Sequence, residues 1–254
     1  MVRRAVVTPD KHFPLADMSA INVVCKTIEL VKPDCYVDLG DVGEWEACSH
    51  WKWKKKKRPP LEYIIDDVDR DIVDVNKGMD VIDEALDKVN CKTKYITEGN
   101  HDDWMNRFVA ENPYLKKYTF KNAVKLDERG YIYYPMGKYL KLGKLFLYHG
   151  HHFASMHHAK NHLNRLGTNL MYGHHHDVQM ASVTNMDGVK SAYSIGCLKD
   201  MSSEKNEWLN NKKHNWQHAF AIVDFYDKGR FTVDIVQIIE GKAMVWGNLI
   251  DGNK

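Results

Sequence analysis

The apolar residues of this chain follow two different periods, which predict where helices and strands lie. In residues 16–31 they recur at helical spacing, up to the break at Pro33-Asp34. Short apolar runs at 2–8, 35–40 and 94–97 are typical of buried strands. Strands that alternate with helices favour βαβ units, so the first half of the chain is predicted to form a parallel α/β unit.

Strands dominate the second half of the chain, where the one predicted helix covers 155–166. The predicted strands are 131–134, 139–148, 169–172, 178–183, 191–195, 219–225 and 231–239. We therefore expect a strand-rich sheet in this half, within an α/β fold.

The segment 61–89 repeats apolar residues at alternating steps of four and three, which predicts one helix of roughly 42 Å at ~1.5 Å per residue. Two interpretations of its apolar seam stay open. The favoured one packs the helix along the outside of the sheet, and the other uses the seam as a homodimer contact. Gly78 should weaken the helix by ~1 kcal/mol relative to alanine.

Composition limits the class of protein. The 254 residues are 44% hydrophobic and 28% charged with a net charge of +2, as in ordinary soluble domains without a field for nucleic acid or membrane. We expect one domain, 1–254, with the helix 61–89 as an insertion. Its apolar runs are too short for a membrane span, and five scattered cysteines fit a reducing compartment, so a cytoplasmic protein with no membrane association is expected.

Polar residues that can bind metals gather where predicted strands end. They are Asp10, His12, Asp41, Glu44, Asn100, His101, His149 and His174 to His176. Open α/β sheets bind ligands at the carboxyl ends of their strands, so these side chains are expected to meet. Mixed nitrogen and oxygen ligands suit manganese, iron or zinc better than magnesium or calcium, and the lack of cysteine argues against a zinc finger.

The size of this set favours two metal ions over one. Two cations ~3.5–4 Å apart need a bridging carboxylate, for which Asp41 is the natural candidate. In the stretch YGHHHD (172–177), an extended backbone would point His174 and His176 to one side and His175 to the other. We therefore expect the outer two histidines to bind metal and His175 to pack or face solvent.

Five short motifs occur in one order: DKH (10–12), GDVGE (40–44), GNHD (99–102), HG (149–150) and GHHH (173–176). In this order and behind predicted strands, they resemble the calcineurin-like metallophosphoesterase family, particularly its small phage and bacterial members. The resemblance implies a four-layer α/β/β/α sandwich of two mixed sheets.

The resemblance also implies a role for each residue. The first metal would be bound by Asp10, His12 and His176, the second by Asn100, His149 and His174, and both by Asp41. His101 would contact the phosphate and protonate the leaving oxygen, and Glu44 would orient His101. The cofactors would be two divalent ions, manganese first and iron, zinc, cobalt or nickel as alternatives, which acidify a water to hydroxide.

The activity that the resemblance implies is metal-dependent hydrolysis of a phosphoester. Protein phosphatases of the family carry an arginine after the acid of the second motif, but here Trp45 follows Glu44. A phosphodiesterase or nuclease acting on nucleotide or nucleic-acid substrates is therefore favoured. A phosphomonoesterase acting on small molecules or proteins, and a non-catalytic metal-binding scaffold, remain as alternatives.

Substrate contacts are predicted at three further places. In WKWKKKKRPP (51–60), Lys54 and Lys55 could bind phosphates while the tryptophans stack on bases, although a solvated loop is favoured. His151 follows the HG motif closely enough to touch substrate. The polar segment 200–216 is expected to cover the site, with its tryptophans interpreted as core anchors in preference to lid contacts.

Overall fold

The computed structural model describes residues 3–54, 57–210 and 212–254. Thirteen strands lie in this part of the chain: β1 (Arg3–Thr8), β2 (Cys35–Asp38), β3 (Thr93–Thr97), β4 (Tyr131–Tyr134), β5 (Leu140–Leu142), β6 (Leu145–Leu147), β7 (Leu170–Tyr172), β8 (Val178–Asn185), β9 (Gly188–Ile195), β10 (Ala219–Tyr226), β11 (Arg230–Gln237), β12 (Lys242–Val245) and β13 (Asn248–Asp251). The α-helices are α1 (Met18–Val31), α2 (His50–Trp53), α3 (Leu61–Lys88), α4 (Asn100–Glu111), α5 (Phe120–Ala123) and α6 (His158–Leu166).

Two large sheets and their helices form the predicted four-layer α/β/β/α sandwich. The first sheet has the order β11-β10-β1-β2-β3-β4, and the second has the order β5-β6-β7-β9-β8. In the first, β1 to β4 are parallel and β10 and β11 antiparallel, while in the second β6, β7 and β9 are parallel. Both sheets are therefore mixed, and the α/β fold class is confirmed.

Three clusters of buried apolar side chains fill the spaces between these layers. One fills the space between the sheets, with Val7, Val37, Leu147 and Met171 among its buried members. A second lies between the first sheet and the helices α1, α3 and α4. A third, smaller cluster packs α6 against the second sheet. Each sheet thus buries both of its faces, which explains the nearly continuous apolar runs of its central strands.

Two strand predictions were wrong in detail. Residues 139–148 form a hairpin, β5 and β6, in place of one strand, because the chain reverses at Gly143-Lys144. The strands of the second half also do not share one sheet, since β10 and β11 pair with β1 in the first sheet. Hydrophobic periodicity identifies a strand but not the strand that it pairs with. It therefore could not predict which strands belong to which sheet.

The long helix α3 packs its apolar seam inside the chain. Val68, Val75, Met79, Ile82 and Leu86 are all buried, and the helix lies against α1. This packing accounts for the seam, and the homodimer contact stays a prediction. Among the described residues, no helix is both long enough and apolar enough to cross a membrane.

A buried polar cluster fixes α3 to the first sheet. Asp83 of the helix lies 2.9 Å from Lys94 Nζ of β3, accepts a hydrogen bond from Tyr131 of β4 at 3.1 Å, and pairs with Arg129 at 2.6 Å. Because each charge in this cluster has a partner, burial does not leave an unpaired ion in the core.

Gly78 allows α3 to approach the loop that follows β1. A Cβ atom at this position would lie 2.4 Å from the ring of Phe13. Gly78→Ala should therefore lower the free energy of unfolding by up to about 2 kcal/mol, because overpacking of about 1–3 kcal/mol exceeds the ~1 kcal/mol gained in helix propensity. The midpoint of urea unfolding measures this effect.

Val73→Ala is the matched control, since it lies on the same helix with 52% of its surface exposed. It should leave the midpoint unchanged or raise it slightly, because alanine favours the helix. A stabilised Gly78→Ala protein would show that helix propensity outweighs the contact with Phe13.

Candidate metal centre

The carboxyl ends of five strands, three from one sheet and two from the other, meet at one edge of the sandwich. Asp10 and His12 follow β1, Asp41 follows β2, and Asn100 begins the helix after β3. From the second sheet, His149 follows β6, and His174 and His176 follow β7. The seven side chains that were predicted to bind metal therefore converge on one place.

The first group consists of Asp10, His12 and His176, whose ligand atoms lie within 4.8 Å of one another. His12 Nε2 is 3.2 Å from His176 Nε2, and His176 Nε2 is 3.1 Å from Asp10 Oδ2. All three residues are buried. Two imidazole nitrogens and a carboxylate oxygen thus face a common point, as in a nitrogen and oxygen metal site.

The second group consists of Asp41, His149 and His174, with Asn100 beside it. His149 Nε2 lies 2.9 Å from Asn100 Oδ1, 3.1 Å from His174 Nδ1 and 3.2 Å from Asp41 Oδ2. Three atoms, an amide oxygen, an imidazole nitrogen and a carboxylate oxygen, therefore surround the Nε2 atom of His149.

Asp41 lies between the two groups. Its Oδ2 atom is 3.2 Å from His149 Nε2 in the second group and 3.8 Å from His12 Nε2 in the first. Its Oδ1 atom accepts a hydrogen bond from the main-chain N–H of His101 at 2.8 Å. This carboxylate thus contacts both sets of ligands, which is the position that a bridging ligand needs.

The chemistry of these donor atoms fits cations. His149 Nδ1 donates its proton to the carbonyl of Leu39 at 3.0 Å, so in the neutral ring Nε2 carries a lone pair. That lone pair faces the acceptor atoms of Asn100, His174 and Asp41, and acceptors repel one another unless a positive charge lies between them. In the first group, the fully buried Asp10 Oδ1 has no hydrogen-bond partner. Such an atom is costly unless a ligand satisfies it.

The pKa values of the histidines in both groups reflect the balance between burial and the charges of neighbouring groups. Burial lowers the pKa of His149, but Asp41 and Asp10 outweigh burial and raise it to about 9. Burial lowers the pKa of His12 to about 4, and burial together with His149 lowers that of His174 to about 2. At neutral pH, His12 and His174 are therefore neutral rings with a free lone pair, the form that binds metal.

An unusual backbone conformation brings several of these side chains inward. His12, Asp41, His174 and His176 have positive φ angles of 52°, 46°, 66° and 62°. Residues other than glycine seldom adopt this region, and each such residue costs of order 1–3 kcal/mol. The expected extended backbone at 174–176 was therefore wrong, since two left-handed residues turn the outer histidines toward different groups.

His175 belongs to neither group of ligands, although its ring lies 5.0 Å from that of His174 between centroids. Its ring stacks on His158 with 3.8 Å between centroids, and the residue is part of the lining of the cavity beside the candidate metal centre. The preceding Gly173 has no room for a side chain, because a Cβ atom there would lie 2.3 Å from Asp10 Oδ1. A glycine is thus required for the histidine segment to approach Asp10.

His101 stands beside the metal centre and faces the cavity. Its Nδ1 lies 2.8 Å from the main-chain oxygen of Glu44 and donates to it, which leaves Nε2 free. Its ring packs on Trp104 at 3.8 Å and on His12 at 4.6 Å between centroids. The carboxylate of Glu44 was expected to orient His101, but the main-chain oxygen makes this contact instead.

The Glu44 carboxylate contacts His12 and Lys199. Glu44 Oε2 lies 2.9 Å from His12 Nδ1 and 2.8 Å from Lys199 Nζ. Burial raises the pKa of Glu44, but His12 and Lys199 outweigh burial and hold it well below its usual range. A carboxylate beside Nδ1 favours a proton there, so His12 presents Nε2 to the centre. Lys199 carries no motif that sequence reasoning could have used.

A second missed residue, Asp102, joins two of the motifs. It is fully buried and accepts hydrogen bonds from Gly99 N at 3.1 Å, Val42 N at 3.2 Å and Trp45 Nε1 at 3.0 Å. The loops that carry Asp41 and Asn100 are thereby held together. Its place in GNHD was visible in the sequence, but its role depends on contacts between loops.

A cavity of about 950 Å³ opens in front of the metal centre. In the described part of the chain, its lining includes His101 and Lys199 but neither Lys54 nor His151, two of the predicted substrate contacts. Lys54 lies over the Trp51 ring at 4.6 Å, and the His151 ring is 6.2 Å from that of His149. The third predicted contact, Lys55, lies outside the described residues.

The segment 200–216 contributes two tryptophans to this cavity. Trp208 is 63% exposed, and the half-buried Trp216 packs edge-on against His176 at 4.4 Å between centroids. Both line the cavity, so their interpretation as core anchors was wrong. Tryptophan hydrophobicity alone does not distinguish a core position from a ligand-facing one.

No model of a known protein family matches the chain. Two curated relatives, the Gene 54 proteins of Mycobacterium phages L5 and D29, are each 25% identical to it over 263 residues. The match spans 98% of this chain and 99% of each phage protein.

The fold is similar to that of Vps29 from Entamoeba histolytica. A point mutant of Vps29 matches with a TM-score of 0.51 at 11% identity, over 98% of both chains. The wild-type Vps29, determined in complex with zinc, matches with a TM-score of 0.50 at 12% identity, over 98% of this chain and 99% of Vps29. The chain therefore has a Vps29-like metallophosphoesterase fold.

The contact between Glu44 and His12 generates a prediction. Glu44→Gln should weaken metal affinity by roughly 10–100-fold, because it removes the negative charge that fixes the proton of His12 on Nδ1. The orientation of His101 should persist, since it depends on a main-chain oxygen. Titration with Mn²⁺ followed by calorimetry measures the affinity.

Glu46→Gln is the control, since Glu46 also lines the cavity but its side chain is 65% exposed. It should bind Mn²⁺ like the unaltered protein. Equal affinities for the Glu44 and Glu46 variants would remove Glu44 from the support of the metal centre.

Proposed function

We propose that this protein is a metal-dependent phosphoester hydrolase that acts on phosphodiesters, as a phosphodiesterase or nuclease. One observation carries the proposal: seven buried or half-buried acceptor side chains face one another beside a large cavity, with Asp41 in contact with both groups. Acceptors gathered in this way favour cations, and a cavity beside them provides room for a substrate.

Two divalent cations would be held by Asp10, His12 and His176 on one side and by Asn100, His149 and His174 on the other, with Asp41 shared. When bound, such ions acidify a water and neutralise charge on phosphate oxygens. Manganese is our first choice for mixed nitrogen and oxygen ligands. The zinc complex of Vps29 supports zinc as an alternative within the same fold.

His101 is proposed to be the general acid. Because its Nδ1–H is engaged by the Glu44 carbonyl, Nε2 is the nitrogen available to a substrate in the cavity. Protonated at Nε2, His101 would donate this proton to the leaving oxygen as the ester bond breaks. Packing against Trp104 limits rotation of the ring and keeps Nε2 aimed at the cavity.

The residue after Glu44 supports a diester substrate over a phosphoprotein. Trp45 is fully buried and donates to Asp102, so this position supplies no positive charge to a terminal phosphoryl group. A diester carries less charge than a monoester and needs fewer cations to bind it. Phosphomonoesterase activity is the second candidate, and a non-catalytic metal-binding scaffold is the third.

A panel of phosphoesters tests the proposal. The purified protein supplemented with Mn²⁺ should hydrolyse bis(p-nitrophenyl) phosphate faster than p-nitrophenyl phosphate, and elemental analysis should find two metal ions per chain. Chelation should abolish both activities. Dominant monoester turnover would favour the second candidate, and bound metal without hydrolysis of any ester would favour the third.

The role of His101 makes a separate prediction. His101→Ala should lower turnover of bis(p-nitrophenyl) phosphate by roughly 10²–10⁴-fold, because the leaving oxygen loses its proton donor. Metal content should stay at the unaltered level, as His101 is not among the proposed ligands. The exposed His157 provides the control, and His157→Ala should keep full activity. Near-normal turnover by the His101 variant would contradict its assignment.

A further inference from the structure

Tryptophan is concentrated around the cavity. Four of the seven tryptophans in the chain line it: Trp51, Trp104, Trp208 and Trp216. We refer to these four side chains as the tryptophan surface. They come from three separate parts of the chain, namely the segment after β2, helix α4 and the segment 200–216.

On one side of the cavity, this surface extends from the metal centre to solvent. Trp216 packs against the proposed ligand His176 at 4.4 Å, and Trp208 lies 6.0 Å beyond Trp216 between ring centroids. Trp208 is 63% exposed. Aromatic faces are therefore available close to the proposed cleavage point and farther out.

Other rings line the cavity from the segment that carries Glu44 and from α4. Trp104 packs on His101, and Trp51 is 59% exposed with Lys54 over its ring at 4.6 Å. A tryptophan left in solvent forgoes much of the stabilisation that its burial would provide. Two such residues at the opening of one cavity indicate a ligand with flat apolar faces.

The charges around the cavity narrow the class of ligand. Among the described residues, its lining has three lysines and four glutamates: Lys52, Lys199 and Lys205 against Glu44, Glu46, Glu204 and Glu207. Proteins that bind a duplex through its backbone present an excess of positive charge. A described lining without a positive excess, but with exposed aromatic rings, favours recognition by stacking, which every nucleobase can provide when it is unpaired.

We propose that the cavity binds single-stranded nucleic acid, whose unpaired bases stack on the tryptophan surface beside the phosphodiester. As a statement about the substrate, this rests on the hydrolase function proposed above. Bases within a duplex stack on each other and cannot offer their faces to Trp208 or Trp51, so the duplex should be a poor ligand.

Binding measured in the presence of chelator tests this proposal without relying on catalysis. Fluorescence anisotropy should show that a short single-stranded oligonucleotide binds more tightly than its abasic counterpart of equal length or its duplex. DNA and RNA versions are compared, and a preference for the base-bearing strand in either supports the proposal. Abasic and duplex forms that bind as tightly as the base-bearing strand in both versions would overturn it.

Trp208 is the position to alter, because it contacts none of the proposed metal ligands. Trp208→Ala should reduce the preference for the base-bearing over the abasic strand by roughly 5- to 150-fold, and Trp208→Phe should retain most of it. Trp246→Ala is the control, since Trp246 is 48% exposed in the hairpin of β12 and β13 and should not affect the preference. An unchanged preference in Trp208→Ala would also overturn the proposal.

Hydrolysis of bis(p-nitrophenyl) phosphate, measured on the same samples with Mn²⁺, separates the two proposals. Tryptophan-dependent binding of unpaired bases without ester hydrolysis would support the proposed single-stranded ligand and contradict the proposed hydrolase function. Ester hydrolysis without any preference for base-bearing strands would contradict the proposed single-stranded ligand and still support the proposed hydrolase function.

Discussion

Mutual repulsion among acceptor atoms is the constraint on which the rest of this structure depends. Asp41 and Asp10 are buried beside imidazole nitrogens that face one another at about hydrogen-bond distance. Without positive charge between them, such atoms repel and lose the solvation that water would give. The pKa of His149, raised to about 9 by these carboxylates, shows that the centre attracts a proton strongly. A cation held by the same atoms would satisfy them better, because it contacts all of them at once.

The surrounding structure must hold these groups together against their repulsion. Left-handed backbone at four of the proposed ligands stores strain, which persists only where neighbouring contacts leave no alternative. Two buried carboxylates supply such contacts. Asp38 pairs at 2.8 Å with the fully buried Lys11, which lies between the proposed ligands Asp10 and His12 in the loop after β1. Asp102 joins the loop after β2 to the loop after β3 by hydrogen bonds. The fold therefore maintains a costly arrangement, which favours a functional explanation over a purely structural one.

The sequence was informative where local rules control the outcome. Parallel strands deliver their carboxyl ends to one edge, so polar residues after apolar runs predicted the convergence of Asp10, Asp41 and Asn100. It was uninformative where the outcome depends on contacts between distant segments. The pairing of β10 with β1, the contact of Glu44 with Lys199 and the exposure of Trp208 each depend on how loops and strands pack in three dimensions. Periodicity and motif spacing are local properties of the sequence and do not encode such contacts between distant segments.

The metal centre and the tryptophan surface differ in how they are built, and this difference bears on how such a protein acquires its specificity. The candidate metal centre lies at strand ends and tight turns fixed by the two sheets, whereas Trp51 lies in the short helix α2 and Trp208 in the segment 200–216, both outside the sheets. Loops can change without disturbing the sheets that carry them, so the ligand of a cavity can vary while the chemistry beside it is retained. The likeness to Vps29, at 11–12% identity, therefore concerns the fold of the two sheets. We expect the segments around Trp51 and Trp208 to determine which substrate the cavity accepts.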